Sequence, residues 1–430
     1  MTEIGGASRV RRLAVAGLAA TVAVVVAPVA AADIPHPTVV IENPVNHTPE
    51  LVAVPGTAKP IVDAIAVSGD TVFAGGRFTR VSHGTDTYDR TNVVMFDADT
   101  GAVSPANLDA NNRVWAMATI GNWVYIGGQF TAIGGTSKRS VVRVDATTGE
   151  IDPGFTSAVK GRVNALEAAP NGLLYVGGSF SKRLVALDPV TGADTGAFDL
   201  TIADPIPGAW GSVSIIGMSV NTAGTKLVAT GNFRQVDGQA RSRFFMADIS
   251  GTDAVLDDWY YPRFASSCSS THPRRIAYLQ GIDFAPTDDY FVVVATGQIP
   301  LSGDKHETVC DGAGRFDMDD DTQPQWINYT GGDSVWGVSV TGAAVYVQGH
   351  FQWLDNPDGW ASMPRGDAVR RLGIGAIDPG SGLALDWDPA KKAQIGSQAL
   401  VATPDGLWVG SDSTHFAGEP HRGIAFVPLP

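Results

Sequence analysis

One short pattern recurs along the chain and constrains its fold more than any other feature. Its clearest copies are FAGGRF (Phe73–Phe78), YIGGQF (Tyr125–Phe130) and YVGGSF (Tyr175–Phe180). Looser copies are VATGNF (Val228–Phe233), VVATGQ (Val293–Gln298), YVQGHF (Tyr346–Phe351) and WVGSDS (Trp408–Ser413). The copies are spaced by roughly 50–65 residues, slightly longer than the propeller-blade period of about 40–50.

Each copy sits in the same surroundings. An apolar run precedes it, as at Val62–Val67, Val114–Ile120 and Val163–Ala168, and a polar turn such as Ser68-Gly69-Asp70 or Gly121-Asn122 separates the two. Gly and Asn tolerate the positive φ of a hairpin turn. A third run follows and ends in a second turn motif: Asp97 to Gly101, Asp145 to Gly149, Asp188 to Gly192 and Asp378 to Gly382. There the Asp accepts bonds from backbone N–H groups and the Gly takes the left-handed position. A short fourth run carries one aromatic: Phe155, Phe198, Trp259, Trp326 or Trp387. Four hairpin-linked strands per unit predict an all-β chain, a β-propeller of about seven four-stranded blades. The first two strands are apolar on both faces, as in a sheet covered on both sides. The Gly pairs let neighbours approach closely. Helical periodicity is absent, and 50 Gly with 26 Pro suit a turn-rich chain. The last unit lacks a fourth strand, so Thr38–Ile41 or Leu51–Val54 is expected to complete it and close the ring.

The Gly-Gly strands followed by D-x-x-T-G turns resemble the delta-60 repeat of exported bacterial, actinobacterial-type β-propeller proteins. The resemblance runs from about Asn43 to Pro430. It is strongest over the first three units and over Gly373–Asp378 and Leu400–Asp412. It implies a propeller and export. It offers no catalytic residues to carry over.

The N-terminus reads as a processing signal. Arg9, Arg11 and Arg12 precede the apolar stretch Leu13–Ala27, and Pro28 with Ala30, Ala31 and Ala32 supplies a cleavage site before Asp33. Residues 1–32 are thus expected to be a signal peptide and 33–430 a single propeller domain. An uncleaved anchor or a twin-arginine signal are the alternatives. No later stretch is long enough to span a bilayer. The net charge is −14, and more acidic still without the leader, which holds three Arg and one Glu. Such a surface repels phosphate backbones, so nucleic acid is a poor partner. Two Cys remain in an exported chain, and Cys268 with Cys310 reads as one disulfide, worth about 4 kcal/mol by loop entropy. Two buried free thiols are the alternative.

In a propeller, the connections between units and the loops from second to third strand share one rim. Here those loops are long, notably Pro262–Arg274, Ile299–Gly314 and Gln352–Arg371. Function sits on such loops. They nominate Trp353, Trp360, Asp355, Asn356, His415 and His83 as ligand contacts, with His306 beside them. Asp317, Asp319 and Asp321 offer oxygen ligands for Ca²⁺, but Thr322 stands where the loop needs Gly and Asn328 where it needs Glu, so an exposed acidic turn is the expectation. No other cofactor is implied. There is no zinc, P-loop or nucleophile-elbow motif. The reading is a secreted, monomeric, non-catalytic binding module for an extracellular glycan or protein. The rival is an extracellular glycoside- or lactone-acting hydrolase with its site at the channel mouth.

Overall fold

The apolar run, the Gly-containing run and the third run of each repeat pair as antiparallel strands. The computed structural model describes residues 1–2, 34–269, 272, 274–297, 307–360, 363–392 and 395–430. The expected leader and its cleavage point, along with His306, lie outside the described residues. Among those described, the only helix is a single 3₁₀ turn, Pro262–Ala265. The molecule is all-β and propeller-like.

Seven principal sheets follow one another along the chain. Their first strands are Ile61–Ser68, Val114–Ile120, Val163–Ala168, Ser214–Val220, Tyr278–Phe284, Val335–Val340 and Leu400–Thr403. Each pairs with the Gly-containing strand after it, which in turn pairs with the third. The expected fourth strand forms fully only in the fourth and fifth sheets, at Val255–Leu256 and Trp326–Tyr329. In the first, second, third and sixth sheets it shrinks to one bridge: Phe96 with Val103, Val144 with Ile151, Leu187 with Asp194, and Ile377 with Ala384. In the second, third and sixth sheets the chain leaves the edge and buries its aromatic instead. Phe155 packs edge-on to Tyr125 at 5.7 Å, Phe198 to Tyr175 at 4.9 Å and Trp387 to Tyr346 at 5.2 Å. Such pairs contribute about 0.5–1.5 kcal/mol beyond burial.

Seven apolar clusters hold the sheets together, each built from two consecutive sheets. The cluster containing Val62, Ile65, Trp408 and Ile424 joins the seventh sheet to the first. The N-terminal segment runs beside the last strand of the seventh sheet. Ile41 N–H donates to Pro428 O and Val45 N–H to Phe426 O, both at 3.0 Å. Trp387 Nε1 donates to Ile41 O at 2.9 Å. Leu51 lies further along, and Glu50–Leu51 pairs with the hairpin strand Arg80–His83.

The Gly pair does two different things. A Cβ on Gly75 would lie 2.5 Å from Val114 Cγ1 of the next sheet, so the first Gly sets sheet-to-sheet approach. A Cβ on Gly76 would lie 2.1 Å from Ile61 O within its own sheet. That second contact belongs to a β-bulge. In six of the seven first strands the register shifts by one residue at the same place: between Val62 and Ala64, Val114 and Ala116, Val163 and Ala165, Ile215 and Gly217, Leu279 and Gly281, and Val335 and Gly337. A bulge re-aims the extra side chain.

Cys268 and Cys310 are disulfide-bonded, with Cα atoms 5.9 Å apart across a separation of 42 residues. The bridge ties the loop after the fourth sheet to the fifth sheet.

Candidate functional site: the mouth of the central channel

The six bulged residues are Asp63, Trp115, Asn164, Ile216, Gln280 and Trp336, and all of them line one cavity of about 680 Å³. This is within the size range of ligand pockets. Below it, residues from all seven first strands enclose a channel of about 310 Å³, which opens into a second mouth of about 640 Å³. The upper mouth sits on the rim made by the connections between sheets. It is the rim the long loops suggested, but at its axis rather than its outer edge.

Two connections and the strand ends complete the funnel. Arg77, Arg113 and Arg162 reach it from the first three sheets, Tyr278 from the fifth, and Trp210 from the connection into the fourth. Trp210 is 86% exposed, the most exposed aromatic of the fold. Its backbone is fixed: its N–H donates to Tyr278 Oη at 3.0 Å, and Asn232 Nδ2 donates to its carbonyl at 2.8 Å. The platform is therefore held while its face stays in solvent.

Arg113 donates through Nε and Nη2 to both oxygens of Asp63, each at 2.6 Å. Burial pushes the Asp63 carboxyl up, and Arg113 pulls against it. Asp63 is the one carboxylate among the lining residues and is committed to this ion pair. Arg113 also covers the Trp115 ring, 3.7 Å from its centroid, and Arg162 covers the same ring at 4.0 Å. Among the described residues, the Arg162 guanidinium has no carboxylate partner. Burial, then Arg113, lowers its pKa.

Six buried polar atoms around this cavity have no protein partner: Arg77 Nε, Trp115 Nε1, Arg162 Nε, Asn164 Oδ1, Asn232 Oδ1 and Trp336 Nε1. A buried polar atom left unbonded costs about 1–3 kcal/mol. These atoms are sealed by the packing around them, and what the cavity presents to a ligand is the half-buried Arg77 and Arg162 side chains and the exposed Trp210 indole.

The channel carries a different chemistry. Glu167 and Asp283 line it. Burial, and then the charge of Asp283, pushes Glu167 up to about 8. Burial pushes Asp283 up to about 7, against a bond from Val340 N–H at 2.7 Å. The lower mouth is lined by Asp70, Asp99, Asp405 and Glu167, with no Lys or Arg.

The residues nominated from the long loops stand apart from the funnel, on outer hairpins of three sheets. His83 ends the hairpin strand Arg80–His83 of the first. His415 sits in a hairpin of the seventh, where its Nδ1 meets Thr414 Oγ1 at 3.1 Å. Trp353 pairs with Arg370 in the sixth, and Trp360 is 45% exposed beyond it. Asp355 receives Ala384 N–H at 3.0 Å and Asn328 Nδ2. Asn356 is fully buried, taking Arg365 N–H at 3.0 Å and donating to Thr330 O at 3.3 Å. In the acidic run, Asp317 accepts from Arg315 Nε at 2.9 Å, and Asp321 from Tyr260 N–H at 3.4 Å. Among the described residues, no three His, Cys, Asp or Glu converge as a metal site.

The funnel residues were not nominated from the sequence, although a signal exists. Each first strand reads apolar, variable, then Ala or Gly: Val62-Asp63-Ala64, Val114-Trp115-Ala116, Val335-Trp336-Gly337. A position that changes chemistry between otherwise matching repeats marks a shared wall.

A family model described as "Domain of unknown function (DUF5122) beta-propeller" matches residues 122–155. No curated protein matches the chain. Among solved structures, the computationally designed Ika8 protein is 13% identical with a TM-score of 0.45. Hydrazine synthase of Kuenenia stuttgartiensis is 12% identical with a TM-score of 0.46. Each likeness covers 88% of this chain and 99% of the other. Neither bears on the site.

Proposed function

We propose that the chain is a secreted, non-catalytic propeller that binds an extracellular glycan or protein in the funnel over its channel. The seven sheets are read as seven blades. The cluster between the seventh and first sheets, with the bonds of Ile41 and Val45, supports a ring closed by the N-terminal segment. Residues 1–32 are read as the leader, 33–430 as one domain, and the whole as an exported propeller of the delta-60 type. The disulfide is compatible with an oxidising compartment. Among the described residues, no helix is long and apolar enough to cross a membrane.

The observation that carries this reading is one cavity of about 680 Å³ over the channel, lined by Arg77 and Arg162, neither bonded to a carboxylate among the described residues, and by the exposed indole of Trp210. A longer ligand leaving the funnel along the same rim would meet the outlying contacts Trp360 and Trp353. The test is a screen of the mature protein against glycans and cell-envelope fractions, with and without Ca²⁺. A ligand is expected, and the Trp210→Ala/Trp336→Ala double variant should lose it. Binding that survives the double variant places the site elsewhere.

The hydrolase reading has one observation of its own, the raised pair Glu167 and Asp283 in the channel. The funnel above offers only Asp63, which is already paired. Turnover of chromogenic glycosides or lactones, lost in Glu167→Gln, would favour the enzyme.

A further inference from the structure

The two ends of the channel carry opposite charge. The funnel gathers Arg77, Arg113 and Arg162 against the single carboxylate Asp63. The far mouth gathers four carboxyl groups and no Lys or Arg. This cationic funnel belongs to a chain of net charge −14, so it is a local reversal of the surface around it. Low-dielectric walls focus such a field.

Among the described residues, Arg113 alone of the three guanidinium groups bonds a carboxylate. Arg77 spends one Nη2 bond on Lys59 O at 3.2 Å, and its Nε is unpartnered. Arg162 rests on Trp115 with its Nε unpartnered. Both side chains are half-buried, and the nearby Asp63 carboxylate that attracts them is already bonded to Arg113. The planar fork of a guanidinium matches a carboxylate in two-point bonding. The remaining wall is aromatic, and an exposed indole such as Trp210 stacks on the C–H face of a pyranose. The hydroxyls of Ser179 and Ser212, which also line the funnel and are not buried, can donate to ring hydroxyls and accept from them.

We infer that the funnel recognises an acidic saccharide, a uronate whose carboxylate lies against Arg162 and Arg77 while its ring stacks on Trp210. This rests on the funnel being the binding site. A saccharide fits better than a peptide terminus because the funnel sets hydroxyls, which both donate and accept, beside the exposed indole of Trp210.

The test measures binding of uronate trisaccharides (galacturonate, glucuronate and mannuronate series) to the mature protein, beside the same trisaccharides with their carboxyl groups reduced. Calorimetry and Trp fluorescence supply the readout. At least one acidic oligomer should bind tighter than its reduced form by about tenfold or more, as charge-assisted bonds imply. Added salt should narrow the ratio. Arg162→Gln should abolish the preference while the melting temperature holds, and Arg162→Lys should retain part of it. If Arg162→Gln fails to fold, the lysine variant and the salt dependence carry the test. Equal binding of acidic and reduced forms overturns the inference and leaves the glycan-binding reading standing. Binding of no uronate overturns it too, as does binding of a peptide carboxylate, but not its amide, in their place. Failure of the wider screen overturns the reading itself.

Discussion

Arg162 and Arg113 cover the same indole, Trp115, at 4.0 and 3.7 Å from its centroid, yet only Arg113 has a carboxylate. Like charges share one ring because Asp63 holds one of them, while the π face attracts both. The arrangement separates two roles. Arg113 is structural, and Arg162 is available.

Those roles predict opposite stability effects. Arg113→Gln leaves Asp63 buried without its partner, and losing half of such a pair costs about 3–5 kcal/mol. Arg162→Gln removes a charge with no ion-pair partner and should leave stability unchanged or raised. Urea denaturation of both variants checks this. Equal losses would mean that Arg162 also holds the fold together.

Glu167 makes stability depend on pH. Its folded pKa is raised to about 8 from an ordinary value near 4.5. The protonated form therefore favours the fold. That contribution is complete below the ordinary value and is lost as pH rises through about 8. Asp283, raised to about 7, acts in the same direction. Glu167→Gln should raise the melting temperature at pH 8 relative to the parent, and change it least at pH 4.5. A constant difference across that range would contradict the assignment.

The Gly pair can be tested at the bulge itself. An Ala at Gly76 must displace the Ile61 carbonyl, 2.1 Å from its Cβ. Overpacking of this kind costs about 1–3 kcal/mol. The strain falls beside Asp63, so ligand binding should weaken as well. At Gly84 the φ is +58° but the space around a Cβ is open, so Ala there carries only backbone strain. Thermal unfolding should place Gly76→Ala below Gly84→Ala.

Turns and glycine strands were legible in the sequence because each encodes a local backbone demand. Asp97 Oδ1 does take Thr100 N–H at 2.8 Å, Asp188 Oδ1 takes Thr191 N–H at 2.7 Å, and Gly101 has φ +72°. The disulfide was legible because only two Cys remain to pair. The funnel was hidden for a physical reason. Its wall takes one residue from each of six repeats, and a bulge turns that residue out of the period-two alternation by which strand faces are read. Trp210 lies on a connection with no pattern at all. The long loops around Asn356 suggested ligand contacts because loop polar residues look alike whether they bond a ligand or, as Asn356 does, their own backbone.

Ring closure predicts a large effect at the N-terminus. Residues 41–45 bond the last strand of the seventh sheet, and Val40 sits in the cluster between the sixth and seventh sheets. Deleting residues 33–56 exposes that edge and removes Val40 and Leu51 from their clusters. The melting temperature should fall sharply, with new concentration-dependent association through the open edge. An unchanged melting curve would show that the ring does not depend on this segment.

The loop of the sixth sheet separates packing from ligand contact. Trp353 is half-buried in its hairpin, whereas Trp360 is 45% exposed and bridges to Met363. Asp355, at φ +51°, receives Ala384 N–H and Asn328 Nδ2 and so anchors the loop to the strand beneath. Asp355→Ala leaves those donors unpaired and should cost about 1–3 kcal/mol. Trp360→Ala should cost less than about 0.5 kcal/mol, as an exposed substitution does. If Trp360 extends the ligand path, its removal should weaken binding of long oligomers while leaving short ones unaffected, because a short ligand stays within the funnel. Trp353→Ala should instead lower stability and affect both lengths alike in the folded fraction. Long and short oligomers losing affinity equally in Trp360→Ala would place that residue within the funnel's own contact set, and no loss for either would confine binding to the channel mouth.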